Sequence, residues 1–85
     1  MPEAVYIDSF GNVITGLRAK TLSGRGEIAL PDGRKVARAR TFSDVPKGGP
    51  FWYENANGLV EIAVNGGRAD EAMGLAVGAA LRVFG

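Results

Sequence analysis

The sequence predicts an all-β fold, a barrel or sandwich of about seven strands with one short helix near the C-terminus, of which a small closed Greek-key-like β-barrel is the leading form. Three observations lead there. Thirteen glycines and four prolines among 85 residues cut the chain into short segments. The segments between them are rich in Val, Ile, Tyr, Phe and Trp, which suit a pleated, half-buried surface. Two Gly-containing dipeptides, Asp32-Gly33 and Asn57-Gly58, each stand between strand-like runs, the usual mark of a hairpin.

Taken in order, strands are expected at about Ala4-Asp8, Val13-Leu17, Glu27-Leu30, Lys35-Arg40, Phe51-Asn55, Leu59-Val64 and Ala79-Phe84. A type I′ turn at Asp32-Gly33 sets Leu30 opposite Lys35 and Glu27 opposite Arg38, an opposite-charge cross-strand pair. Asn57-Gly58 carries the same primed-turn signal between the fifth and sixth strands. One segment reads as helix: from Gly67 to Leu75, the spacing brings Ala69, Ala72 and Met73 onto one face. It is short and ends at glycine, so it serves as a plug or connection. Asp70 and Glu71 fall near its start, where the helix dipole favours them.

Composition excludes several kinds of function. There is no Cys and no His, which removes disulfides, thiolate nucleophiles, Ser-His-Asp catalysis and almost every zinc site. No metal-binding cluster and no catalytic set is legible. Asp8 and Asp44 lack an evident carboxylate partner, and the adjacent Asp70 and Glu71 do not face each other on a helix. No run approaches the ~20 apolar residues of a membrane span, and the start lacks the pattern of a signal peptide, so the cytoplasm is the default expectation. The whole, residues 1–85, reads as one domain and as a binding part of something larger.

Charge is uneven although the net formal charge is only +1. From Arg18 to Lys47 there are eight basic residues against three acids; elsewhere two basic residues face six acids. The stripe Arg34, Lys35, Arg38 and Arg40 can follow phosphates as a nucleic-acid-binding module does. It also suits a solvated edge strand guarded by charge; a structural or assembly domain that binds no ligand is a further, separate reading. The aromatic cluster Phe51-Trp52-Tyr53 lies elsewhere in the sequence, whereas nucleic-acid readers of this size interleave the two.

Polar groups gather at the expected turns. Asn12 follows Phe10-Gly11, and Asn55, Asn57 and Asn65 bracket the sixth strand. A carboxamide presents donor and acceptor together and can match the edge of a purine. Glycines such as Gly66-Gly67 let a flat ligand approach backbone, and Phe42 can cover a ring. The same residues equally suit a bland reading, with the asparagines at left-handed turn positions and Phe10 and Phe42 in the core. Spacing leaves both readings open.

Two blocks carry a resemblance. The stretch Val5-Tyr6-Ile7-Asp8-Ser9-Phe10-Gly11-Asn12-Val13-Ile14-Thr15 resembles the opening of the C-terminal domain of the S-adenosylmethionine hydroxide adenosyltransferase family, which includes the fluorinases and chlorinases. The block from Tyr53 to Gly67 is similar to the family's tyrosine, Asn-Ser-x-Gly turn, strand and following asparagine, and Thr41-Phe42-Ser43-Asp44 is similar to its threonine-aromatic stretch. The resemblance implies an enzyme that displaces L-methionine from C5′ of S-adenosylmethionine with water, hydroxide or halide. S-adenosylmethionine is then the substrate, with no cofactor. It further implies that an N-terminal α/β domain carries the catalytic groups, that the family's proteins are trimers, and that the C-terminal barrel supplies the adenine site. Carried over by position, Asn12 meets the adenine edge, Phe42 its face, Gly66 its amino group, and Ala56 and Asn57 the methionine end; Phe10, Asn55 and Asn65 support them. This sequence departs from the family in having Ala56 for the usual Ser, and Gly16 for the Asn that usually follows the threonine. Met1-Pro2 falls close to the family's domain junction, so the α/β domain is outside these residues. The chain is not expected to be catalytic by itself.

Overall fold

The computed structural model describes residues 3–22, 26–40 and 42–84. Its strands are β1 (Ala4–Ile7), β2 (Val13–Arg18), β3 (Glu27–Ala29), β4 (Lys35–Ala37), β5 (Pro50–Glu54), β6 (Leu59–Val64) and β7 (Arg82–Phe84). One turn of helix, α1 (Ala69–Ala72), follows β6, and short 3₁₀ turns cover Ala19–Thr21 and Phe42–Asp44. Among the described residues no helix is long and apolar enough to cross a membrane.

The strands form two open antiparallel sheets, ordered β1-β2-β6-β5 and β4-β3-β7, and not the expected closed barrel. Strand length explains the difference. The expected strand Lys35-Arg40 keeps its ladder only to Ala37, and Ala79-Phe84 only from Arg82. What would have been barrel seams are reduced to single bridges, Arg38 with Trp52 and Glu3 with Ala80. The core fills the space between the sheets. Val13, Val60, Ile62 and Trp52 from one sheet meet Ile28 and Val36 from the other, with Met73, Leu75 and Leu81 closing the end. Thr15 is buried there too, and its hydroxyl donates to the Val60 carbonyl at 2.8 Å.

Both expected primed turns are replaced by another device. The β3–β4 register pairs Glu27 with Ala37 and Ala29 with Lys35, one residue off the expected register. Gly33 N–H donates to Leu30 C=O at 2.9 Å, and Leu30 N–H to Arg34 C=O at 2.7 Å, closing a three-residue loop, Pro31-Asp32-Gly33. Gly33 has φ +93°, while no described residue other than glycine has positive φ. This is a type I turn followed by a left-handed glycine bulge, and Pro31 favours it by presetting φ for the turn's first central position. The Glu27–Arg38 pair therefore does not form; Arg38 instead reaches Glu54 at 3.7 Å. The β5–β6 loop, Ala56-Asn57-Gly58, has the same bonds, with Gly58 at φ +78°.

The helix is shorter than expected. Ala69 and Met73 are buried, but Ala72 is exposed, so the predicted three-residue face holds only at its ends.

Candidate functional site

The solvent side of the larger sheet carries the site. Along β6, Val60, Ile62 and Val64 enter the core, while Glu61 and Ala63 alternate to the other face. Along β5, Trp52 goes inward and Phe51 and Tyr53 outward. Phe51, Ala63 and the half-buried Tyr53 form a second small apolar cluster with Ala39 and Val45. The Phe51 and Tyr53 ring centres lie 6.0 Å apart. This cluster floors an open cleft of about 470 Å³, in the range of small-molecule sites. Asn12, Arg40, Asn65 and Gly66 complete its wall.

Asn12 owes its place to a turn held by several backbone hydrogen bonds. Asp8 Oδ1 accepts from the Phe10 and Asn12 amides, both at 2.9 Å, and Asp8 N–H donates to Asn12 C=O at 3.0 Å. Gly11, at φ +83°, completes the loop. The Asn12 carboxamide is left without a hydrogen-bond partner among the described residues. Residues around α1 clamp this turn: Asp70 N–H donates to Gly11 C=O, and Arg68 Nη1 to Ser9 C=O at 2.9 Å. Arg68 also hydrogen-bonds Asp70, which holds the Asp70 carboxyl below its ordinary value and raises Arg68.

At the other wall, Asn65 Nδ2 donates to Val45 C=O at 2.9 Å, which fixes the side chain and turns its carbonyl free. Gly66 follows at φ +77°, the third residue of a turn closed by Gly67 N–H to Val64 C=O. Its amide has no partner among the described residues. Two free hydrogen-bonding groups and one free amide oxygen thus surround an apolar floor. That chemistry suits a flat heteroaromatic ring with polar edges.

Beneath the cleft lies a polar link that residue spacing did not single out. Glu61 is only 6% exposed and stands opposite Tyr53 in the β5–β6 ladder. The Tyr53 hydroxyl donates to Glu61 Oε2, and Asn55 Nδ2 donates to Glu61 Oε1 at 3.2 Å. Burial, and then the Glu61 carboxylate, push the Tyr53 hydroxyl well above the ordinary tyrosine value. Asn55 Oδ1 in turn accepts from the Asn57 and Leu59 amides, at 2.9 and 3.0 Å.

The structure therefore gathers Asn12, Asn65 and Gly66 at one cleft and adds Phe51, Tyr53 and Arg40, which were not assigned to it. Ala56 and Asn57 are not among its walls; they sit in the turn at the far end of the β5–β6 hairpin, where Ala56 is three residues past the cleft-lining Tyr53. A shallower polar depression lined by Arg38, Arg40, Tyr53, Glu54 and Asn55 leads from the cleft toward that turn. The Phe42 side chain lies outside the described residues. Phe10 is no core residue, being 76% exposed, and none of the described asparagines takes a left-handed backbone. The basic stripe is largely occupied: Arg34 pairs with Asp32 at 2.6 Å, Arg38 with Glu54, and Lys35 is also engaged.

Comparison with known proteins agrees in extent across the chain. Residues 2–82 match the family described as the SAM hydroxide adenosyltransferase C-terminal domain. An (R)-S-adenosyl-L-methionine hydrolase of Thermus thermophilus is 43% identical over 96% of the chain, and one of Salinispora arenicola is 39% identical over 95%. The chain spans 31% of the length of each. Among solved structures, a conserved hypothetical protein from Thermus thermophilus superposes with TM-score 0.86 at 43% identity, covering 98% of this chain and 34% of that one. An uncharacterized conserved protein from Thermotoga maritima gives 0.85 at 25% identity, covering 98% and 35%.

Proposed function

Since the chain belongs to the SAM hydroxide adenosyltransferase C-terminal domain family, we propose that its cleft recognises the adenosine part of S-adenosylmethionine. The enzyme concerned displaces L-methionine from C5′ with water or hydroxide, giving adenosine and methionine. The convergence of the free Asn12 carboxamide and the bare Gly66 backbone on one apolar floor carries this reading. In it, Asn12 hydrogen-bonds the adenine edge, Gly66 contacts the exocyclic amino group, and Phe51 and Tyr53 support the ring plane. The remainder of the ligand runs over Tyr53 along the polar depression toward Ala56 and Asn57. Ala56 offers that end no hydroxyl, so contact there is made by backbone.

The work of these residues is binding and orientation. The chain spans about a third of its curated relatives, and an N-terminal α/β domain supplies the groups that hold the nucleophile and the sulfonium. The cleft fixes the nucleoside so that C5′ is presented to them, which is how positioning lowers a displacement barrier. S-adenosylmethionine enters as substrate, and no cofactor is assigned.

The test is a nuclear magnetic resonance titration of the 85-residue chain with adenosine. Signals of the Asn12 side chain and the Gly66 amide move together at millimolar ligand, as expected for a shallow, open site. Asn12→Ala weakens binding by about 1–3 kcal/mol. Absence of any shift at those two residues overturns the assignment.

A further inference from the structure

Asn12 and Asn65 both line the cleft, but they differ in freedom. The Asn12 carboxamide has no partner among the described residues, so a half-turn of its terminal torsion exchanges donor for acceptor. Such a group satisfies a ligand edge of either polarity and tells the two apart poorly. Asn65 is held. Its backbone N–H donates to Gly49 C=O at 3.0 Å, its backbone C=O accepts from Gly48 N–H at 2.7 Å, and its Nδ2 donates to Val45 C=O at 2.9 Å. A carbonyl can only accept, so the amide turns its nitrogen to Val45 and cannot flip without losing that bond. The other atom, Oδ1, has no partner among the described residues. Asn65 therefore offers the cleft a fixed acceptor, next to the bare Gly66 backbone.

We propose that Asn65 makes this cleft selective for 6-amino over 6-oxo purines. The inference rests on the adenosine reading of the cleft and adds the residue that sets base specificity. A 6-amino group carries two hydrogens, so Asn65 Oδ1 accepts from the same group that Gly66 contacts. A 6-oxo group has no hydrogen to give and brings its own lone pairs against the Asn65 oxygen. A polar group that is held in place rejects such a ligand, because the mismatch leaves it unpaired.

The experiment titrates the 85-residue chain with adenosine, purine riboside and inosine, whose bases carry an amino group, a hydrogen and an oxygen at position 6. Adenosine binds about five- to tenfold tighter than inosine, with purine riboside between them. In Asn65→Ala the preference is lost, with the variant's amide spectrum showing that it is folded. In Asn12→Ala all three bind more weakly and the preference remains. If Asn65 only shaped the loop, its removal would weaken all three by one factor and leave their ratios intact; that outcome overturns the proposal. So does a preference that survives Asn65→Ala and disappears in Asn12→Ala. The unmodified chain gives a check that needs no variant: the Asn65 side-chain amide signals move with adenosine, and a silent Asn65 beside a shifting Gly66 also overturns the proposal. If no nucleoside binds, the adenosine reading fails and this inference falls with it. If adenosine and inosine bind alike, only the base selectivity fails.

Discussion

At the residue scale, the most constrained side chain near the cleft is a carboxylate that no ligand is proposed to touch. Glu61 is buried on the outward face of β6 and is stable there because each of its oxygens has a donor, Tyr53 or Asn55. A buried charge with good hydrogen bonds is tolerated; one stripped of a donor is costly. Tyr53→Phe keeps the ring that floors the cleft and removes only the donor, so it destabilises the fold by about 1–3 kcal/mol near neutral pH. The deficit has a pH signature. The folded-state value of the Tyr53 hydroxyl lies above its ordinary 10.0, because burial and Glu61 both disfavour the phenolate. Its contribution is therefore complete below pH 10 and declines as the pH rises through the folded value. Urea denaturation of the two proteins near neutral pH and at progressively higher pH above the ordinary tyrosine value will show the gap narrowing. A gap that stays constant would mean that the hydroxyl is not held by the carboxylate.

At the scale of elements, one loop design recurs three times: Ser9-Phe10-Gly11, Pro31-Asp32-Gly33 and Ala56-Asn57-Gly58. Each has its glycine at positive φ and the same pair of closing hydrogen bonds. The three differ in what surrounds the glycine. A Cβ on Gly33 meets nothing within 4 Å, and on Gly58 only Glu54 Oε2 at 3.7 Å. On Gly11 it would stand 2.6 Å from Arg68 Cβ. Alanine at Gly33 or Gly58 therefore costs only the backbone strain, about 1–2 kcal/mol. Gly11→Ala costs more than either, and it also disturbs Asn12, so it alone weakens adenosine binding. Equal losses of stability across the three variants, measured in urea, would refute the distinction. These loops also show where the sequence was readable. Glycines fixed the positions of the hairpins and the limits of Leu59–Val64, because a turn needing positive φ admits little else. Turn type was misread, because Asp-Gly and Asn-Gly serve the primed turn and the glycine bulge alike, and the choice moves the register by one residue. The cleft was legible at Asn12, Asn65 and Gly66, whose turn positions are local properties. Phe51 and Tyr53 were missed because their membership depends on which face of β5 looks outward. That is decided by Trp52, whose burial forces its two neighbours to the other side.

At the scale of the whole molecule, Trp52 joins the two open sheets that strands of this length cannot close into a barrel. It is fully buried, and its indole Nε1 donates to Gly26 C=O at 2.9 Å, just before β3. Its own carbonyl accepts from Ala39 N–H at 3.0 Å, and the Arg38 guanidinium lies 5.1 Å from its ring centre. A single side chain thus spans from the edge of one sheet to the lead-in of the other. The same residue orients the Phe51–Tyr53 floor, so core packing and the cleft share one determinant. Trp52→Phe removes the indole donor, leaves the Gly26 carbonyl without it, and opens space in the core. The expected loss is about 2–4 kcal/mol. The measurement is urea unfolding followed by circular dichroism, because the chain's one tryptophan is the residue removed. Adenosine affinity should fall as well, through the displaced floor and without any change at Asn12. A variant that loses less than about 1 kcal/mol, or that binds adenosine as before, would show that the sheets are held together by the surrounding aliphatic core and not by the tryptophan.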